Sequence, residues 1–124
     1  MSLPVAVAAL VDQTETYGST AYLVTVGPED RPHVVAVTAH WDGEALVVPA
    51  GRTTSANVER RAGVTLVWPA PPGRGYSLLV DGIASRRPGP GDPTLAIEPG
   101  KAVLHRTPEG DPAAPSCITV LPRC

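Results

Sequence analysis

The sequence predicts a mainly β protein folded as a small antiparallel barrel, and three observations support this fold class. The apolar residues are almost entirely Val, Ala and Leu, and 15 Pro and 12 Gly divide the chain at short intervals, which is typical of many short strands and turns. Apolar residues alternate with period two over most segments. Tight turns join these segments, whereas a parallel sheet would need helices between most strands. A two-sheet sandwich is the alternative fold, and we favour the barrel.

The amino-terminal segment predicts a short helix over residues 3–12, followed by a connector over residues 14–19. Pro4 would lie in the first helical turn, where its missing N–H costs nothing because that N–H would have no partner. We expect an apolar stripe of this helix to lie across an open end of the barrel. The stripe consists of Val7, Leu10 and Val11.

Six or seven strands follow, most of them joined as hairpins. Asp42-Gly43 lies between two apolar runs, which is a strong hairpin signal, and Asp81-Gly82 interrupts a longer run and indicates a bulge. The Pro/Gly-rich residues 87–93 predict a loop. The predicted strands occupy residues 21–26, 33–41, 45–49, 64–68, 76–85, 94–106 (bent around residues 98–100) and 117–121.

One helix is predicted between the third and fourth strands, over residues 56–61. It follows Gly51-Arg52-Thr53-Thr54-Ser55, and hydroxyl side chains at such a position are good N-caps. The first N–H groups of a helix have no partner within it, and its dipole favours negative charge, so a start flanked by Arg can hold a phosphate. Ordinary capping without a ligand is the alternative interpretation.

The chain length and the net charge limit the classes to which this protein can belong. The 124 residues fit one domain, over residues 1–124, and the net charge of -2 with a pI near 5.8 gives no global reason to bind nucleic acid or an anionic membrane. Any anion site must therefore be local. The apolar run at residues 5–11 is neither a signal peptide nor a membrane span. Cys117 and Cys124 lack metal-binding spacing, so we expect a cytoplasmic protein.

No pattern identifies a catalytic group. The sequence contains no nucleophile elbow and no recognisable Ser/His/Asp arrangement. It also contains no pair of carboxylates whose neighbouring residues indicate acid–base catalysis. His33 and His40 are seven residues apart in one predicted strand, which places them on opposite faces. We therefore expect no metal site, and the catalytic residues stay unknown.

The succession AYLVTVGPEDRPHVVAVTAHWDGEALVVPAGRTTSANVERRAGVTLVWP, residues 21–69, resembles the pyridoxamine 5′-phosphate oxidase-like flavin-binding split barrels. The order of Arg-Pro-His, Trp-Asp-Gly, hydroxyl and basic residues, Asn and Val-Thr-Leu carries the resemblance, which continues more weakly through GYSLLVDGIA. It implies an FMN-binding split barrel that forms a homodimer, holds the flavin between its subunits and acts as an oxidoreductase on a small-molecule substrate. Because a flavin carries the hydride chemistry itself, no acid–base residue is obligatory.

The resemblance also implies a set of cofactor-binding residues. The segment lining the isoalloxazine corresponds to Val48, Pro49, Ala50 and Gly51. The phosphate-binding segment corresponds to Arg52, Thr53, Thr54 and Ser55 together with Asn57. Positions facing the ribityl chain or the ring correspond to Thr38 and His40.

One departure concerns the phosphate. Many relatives have a Lys after the third strand, whereas this chain has Thr54, Ser55 and Ala56 there. Arg52 can substitute, because its planar guanidinium suits phosphate geometry. The predicted cofactor is FMN, and the alternatives are a deazaflavin coenzyme or a non-enzymatic flavin- or haem-binding barrel.

The aromatic residues bear on the expected homodimer. Trp68, Tyr76 and the apolar face of residues 76–80 are candidates for its interface, and a core position for Trp68 is an equally good prediction. A nucleic-acid-binding barrel would need basic and aromatic residues on one sheet face. The acidic balance and the five aromatic residues argue against that class.

Overall fold

The computed structural model describes residues 2–73 and 75–107, which form one antiparallel sheet of eight strands and two α-helices. The helices are α1 (Leu10–Tyr17) and α2 (Arg52–Arg60), and single 3₁₀ turns lie at Val7–Ala9 and Pro28–Asp30. The strands are β1 (Ser2–Val5), β2 (Thr20–Val26), β3 (Pro32–Thr38), β4 (His40–Asp42), β5 (Ala45–Pro49), β6 (Gly63–Trp68), β7 (Ser77–Arg86) and β8 (Thr94–His105).

The sheet is curled, and its two end strands follow each other directly in the chain. The strand order is β3-β2-β6-β7-β8-β5-β4, and β1 also pairs with β8. β3 and β4 lie at opposite ends of this order, yet only Ala39 separates them in the chain. The chain therefore bends at Ala39 from one end of the sheet to the other. This curled antiparallel sheet confirms the barrel predicted from the sequence.

Alternation along the strands fills the interior. In β2, Ala21, Leu23 and Thr25 point inward and are buried, while the residues between them are more exposed. Trp68 is 1% exposed, and its indole Nε1 donates a hydrogen bond to the carbonyl oxygen of Gly18 at 2.9 Å. Of the two interpretations of Trp68, the core position is therefore confirmed.

The outer face of the sheet carries a continuous apolar row. The strand register places five residues opposite one another on neighbouring strands. We call these residues the outer row: Ala36, Tyr22, Val67, Leu79 and Val103. Tyr22 is 44% exposed and the last three are half-buried. Since the opposite face of the same strands fills the core, the sheet is apolar on both faces here.

The helix predicted over residues 3–12 is wrong in its boundaries. Ser2–Val5 is a strand that pairs with residues 102–105 of β8, and α1 begins only at Leu10, running through most of the predicted connector. The reason is tertiary: β5 covers only residues 94–97 of β8, so residues 102–105 on the same edge can pair with the amino terminus. Pro4 is compatible with such an edge strand. Leu10 is buried, whereas Val7 and Val11 are exposed.

The strand predicted over residues 33–41 is also divided. It breaks at Ala39, so β3 pairs with β2 whereas β4 pairs with β5. The other predicted strands among the described residues agree within one residue at each end. The predicted bulge is confirmed, because the register shifts between Asp81 and Gly82. The strand predicted over residues 117–121 lies outside the described residues.

Among the described residues, no helix combines the length and the apolar character needed to cross a membrane.

Candidate functional site

Helix α2 begins four residues earlier than the sequence predicts. Arg52 is its first residue and Gly51 is its N-cap, which makes no side-chain hydrogen bond to the helix. The first helical backbone bond runs from the N–H of Ser55 to the carbonyl oxygen of Gly51, at 2.9 Å. The predicted role of the hydroxyls as N-caps is therefore wrong, because they belong to the first turn itself. Among residues 2–73 and 75–107, no side chain caps the N–H groups at the start of α2.

A cavity of about 920 Å³ opens beside this helix start. Its walls come from β3, the end of β5, the first turns of α2, the end of β7 and the loop before β8. The lining residues are His33, Val35, Ala36, Val37, Pro49, Ala50, Gly51, Arg52, Thr53, Thr54, Ser55, Ala56, Glu59, Arg86, Asp92 and Pro93. Its volume lies in the upper part of the range usual for small-molecule sites.

The structure brings seven of the eleven predicted cofactor-binding residues together around this cavity. They are the consecutive residues Pro49, Ala50, Gly51, Arg52, Thr53, Thr54 and Ser55. Thr54 and Ser55 are buried, while Arg52 and Thr53 are exposed.

The other four predicted residues lie outside the cavity lining. Thr38 and His40 are exposed on either side of the bend at Ala39. Val48 is fully buried in the core. Asn57 is buried, and its amide Nδ2 donates a hydrogen bond to Thr25 Oγ1 at 3.0 Å, which ties α2 to β2.

Sequence reasoning missed the wall that faces α2. His33, Val35 and Val37 lie on β3 and line the cavity, and all three are less exposed than the residues between them. The period-two pattern of residues 33–37 carried this signal, since His33 shares a strand face with two valines. Arg86 also lines the cavity, and only the tertiary structure brings the end of β7 to α2.

Two arginines line the cavity, and one of them has a carboxylate partner. Arg86 Nη1 lies 3.0 Å from Glu59 Oε1, and both side chains are more than half exposed, so the ion pair contributes little to stability. Among the described residues, the Arg52 guanidinium has no hydrogen-bond or ion-pair partner. The cavity thus has an unpaired cation at the start of α2.

Two buried polar atoms at the cavity also lack protein partners. Ser55 is 8% exposed, and neither its Oγ nor the Nδ1 of His33 has a hydrogen-bond partner in the part of the chain that the structure describes. Buried polar groups in native proteins are nearly always hydrogen-bonded to protein, water or ligand. Both atoms are almost wholly inaccessible to solvent, so the surrounding protein covers them although their residues line the cavity. The described residues contain no group of His, Cys, Asp or Glu side chains that could hold a metal ion.

No family model matches the chain. An uncharacterized protein of Mycobacterium bovis is 39% identical to it over 113 aligned residues, which cover 79% of this chain and 80% of that protein. An uncharacterized protein of Mycobacterium tuberculosis matches with the same identity and coverage. The chain belongs to the family of these mycobacterial proteins.

Solved structures share the fold of this chain. An F420 reductase superimposes with a TM-score of 0.56 at 20% identity, covering 67% of this chain and 87% of that one. A putative pyridoxamine 5′-phosphate oxidase of Listeria innocua gives 0.62 at 20% identity, over 77% and 97%. The haem-storage protein HutZ of Vibrio cholerae gives 0.63 at 13% identity, over 82% and 96%. The predicted resemblance to pyridoxamine 5′-phosphate oxidase-like split barrels is confirmed in the fold.

Proposed function

We propose that this chain is a cytoplasmic, homodimeric oxidoreductase that binds FMN in the cavity beside α2 and acts on a small-molecule substrate. The observation that carries the proposal is the open start of α2, whose unpartnered N–H groups, together with the unpaired Arg52, face a cavity large enough for a flavin. A helix start of this kind is a ready anion site, since its dipole and its N–H groups both favour negative charge.

The cavity lining fits the two ends of such a ligand. Its cationic, donor-rich end is formed by the first turn of α2, which suits a phosphate. Its β3 and β5 walls are apolar, with Val35, Val37 and Pro49, and suit a flat ring system. The lysine found in many relatives is missing from this end, and the chain's one lysine, Lys101, lies on β8 at the outer surface. Arg52 and the backbone donors of α2 take its place in the proposal.

A bound flavin supplies the hydride chemistry, so the protein needs only to bind it, orient it and exclude water. Leaving the hydride chemistry to the flavin agrees with the sequence, in which no nucleophile with an adjacent base was recognised. The deazaflavin coenzyme is the second candidate, because the fold is also that of an F420 reductase.

We propose the outer row as the surface through which two copies associate. Ala36 belongs both to the outer row and to the cavity wall, so a partner seated on this face adjoins the cavity. Exposed contiguous apolar surface is typical of protein interfaces. A second copy would give the open cavity its missing wall.

Equilibrium titration of the purified homodimer with FMN, the deazaflavin coenzyme and haem tests the proposed cofactor. We expect FMN to bind most tightly, with saturation at one molecule per chain, and to be reduced by a nicotinamide donor. Tightest binding of the deazaflavin coenzyme would support the second candidate instead. Haem as the preferred ligand, without any reduction of FMN, would reject both oxidoreductases.

A further inference from the structure

Strand β3 is an end strand of the sheet, and one of its edges is open. Within residues 2–73 and 75–107, it pairs with β2 alone. Such an edge presents backbone N–H and C=O groups that no ladder satisfies. The consecutive residues Val35, Ala36 and Val37 all line the cavity beside α2. Because successive side chains point to opposite faces of a strand, a cavity lined by three in a row meets β3 at its edge.

The hydrogen-bond pattern of the β2–β3 ladder decides which residues face this open edge. In an antiparallel ladder, residues that exchange both backbone bonds with the partner strand alternate with residues whose N–H and C=O point away from it. The N–H of Gly27 donates to the carbonyl oxygen of Arg31 at 2.7 Å, and the N–H of Ala39 donates to that of Ser19 at 2.7 Å. Both pairs continue the β2–β3 register at its two ends. The odd-numbered residues of β3 therefore bond to β2, and the even-numbered ones face the open edge.

Of these edge-facing residues, Ala36 belongs to the cavity. It is exposed and lines the cavity, whereas Pro32, Val34 and Thr38 lie outside the lining. Pro32 agrees with the assignment, because a residue without an N–H is compatible with a position that faces away from the ladder. In an extended strand the N–H and C=O of one residue point the same way. Ala36 thus offers the cavity one donor and one acceptor side by side.

We propose that the backbone N–H and C=O of Ala36 bind a cyclic amide of the cofactor ring. The carbonyl of that amide would accept from the N–H of Ala36, and its ring N–H would donate to the C=O of Ala36. This inference rests on the proposed function, in which the flavin ring lies against the β3 wall. The pyrimidine ring of FMN contains such an amide, as does that of the deazaflavin coenzyme, whereas haem has none. The open edge of β3 therefore selects flavin-type rings against haem.

Methylation of the ring N–H isolates this contact, because FMN and its N3-methyl form share the phosphate and the ribityl chain. We expect the wild-type protein to bind N3-methyl FMN about tenfold or more weakly than FMN, the effect of losing two hydrogen bonds. Ala36→Pro removes an N–H that is not part of the β2–β3 ladder. It should weaken FMN binding by a similar factor and remove most of the difference between the two ligands. Val34→Pro, which removes an edge-facing N–H outside the cavity lining, is the matched control and should keep both.

Amide hydrogen exchange, followed by NMR, provides a second readout that needs no substitution. We expect saturation with FMN to slow exchange of the Ala36 N–H, because the ring carbonyl accepts a hydrogen bond from it. Exchange of the Val34 N–H should stay nearly unchanged, since Val34 does not line the cavity. An Ala36 N–H that is protected already without ligand, and that FMN does not affect, would mean that a strand of a second copy covers the edge. That result would overturn the inference.

The outcomes separate the inference from the proposed function. If neither FMN nor the deazaflavin coenzyme binds, the proposed function is wrong and the inference falls with it. If FMN binds and its N3-methyl form binds equally well, only the inference is overturned. The same holds if methylation weakens binding but Ala36→Pro preserves the difference, because another group then binds the ring N–H. Should Ala36→Pro fail to fold, the Ala36 N–H exchange and the ligand comparison in the wild type decide.

Discussion

Gly51 is the residue at which the cavity and helix α2 meet. Its backbone is extended, with φ -76° and ψ -178°, and a Cβ added there would have no atom of the described residues within 4 Å. The absence of a side chain is therefore not required by the fold. Any Ser, Asn or Asp at this N-cap position would use the N–H groups of α2 itself.

We predict that Gly51→Asp separates stability from binding. The carboxylate should cap α2 and hold or raise the melting temperature by an amount equivalent to a few tenths of a kcal/mol. The same negative charge should lower FMN affinity by about tenfold or more, because it competes with the phosphate. Gly51→Asn is the uncharged control and should weaken FMN less. Unchanged FMN binding in Gly51→Asp, measured by fluorescence titration, would show that the phosphate lies elsewhere.

A substitution of Arg52 tests how much its positive charge contributes to FMN binding. We expect Arg52→Ala to weaken FMN binding by about 1.5 to 3 kcal/mol, the range for a hydrogen bond to a charged group, with little change in unfolding free energy because its side chain has no partner among the described residues. Calorimetric titration gives the affinity. Arg60→Ala removes the same charge from the last residue of the same helix and should leave FMN affinity nearly unchanged. Equal losses in the two variants would indicate a general charge effect rather than a site.

At the scale of elements, the Thr25–Asn57 hydrogen bond holds α2 against β2 and so helps to position the cavity wall that α2 forms. We predict that Thr25→Val, which keeps the shape and removes the hydroxyl, lowers the unfolding free energy by about 1 to 3 kcal/mol, because Asn57 Nδ2 is left buried without an acceptor. Urea denaturation measures this loss. Thr20→Val, at the exposed start of the same strand, should change stability by less than about 0.5 kcal/mol. Comparable effects of the two substitutions would contradict this account of Asn57.

The bulge between β7 and β8 depends on a close backbone approach. A Cβ at Gly82 would lie 2.6 Å from the carbonyl oxygen of Glu98 and 2.8 Å from Ile97 Cγ2. We predict that Gly82→Ala costs about 1 to 3 kcal/mol of stability through overpacking, measured by thermal and urea unfolding. Gly63→Ala, where a Cβ would meet nothing within 4 Å, should be close to neutral. A stable Gly82→Ala protein would mean that the two strands separate there at low cost.

Much at this scale could be predicted from local pattern, and the failures share a cause. β5 and its hairpin follow from an apolar run after Asp42-Gly43, and the bulge follows from Asp81-Gly82. The strand Ser2–Val5 could not be predicted, because its partner lies about a hundred residues away on β8. The cavity likewise joins the predicted turn after β5 to a wall on β3. The local sequence predicted the turn after β5 as part of the site but assigned no role to His33 on β3.

For the whole molecule, the outer row predicts association. We expect wild-type protein to sediment as a dimer and Tyr22→Lys to sediment as a monomer with weakened FMN binding, because a lysine in this apolar row would have to be desolvated at the interface. Val7→Lys is the control, since Val7 is similarly exposed but lies outside the outer row. A Tyr22→Lys protein that remains dimeric would place the interface on another surface.

The pairing of β1 with β8 also affects how the protein is made. Strand β1 is synthesised before the other described strands, yet its partners, residues 102–105, are synthesised last among them. β7 and β5 pair with the same late strand. Contacts of such long sequence separation slow folding, since the chain loses loop entropy before the contacts form. Residues through His105 must therefore be synthesised before the barrel is complete, and until then the backbone N–H and C=O groups of β7 and β5 that pair with β8 lack these partners.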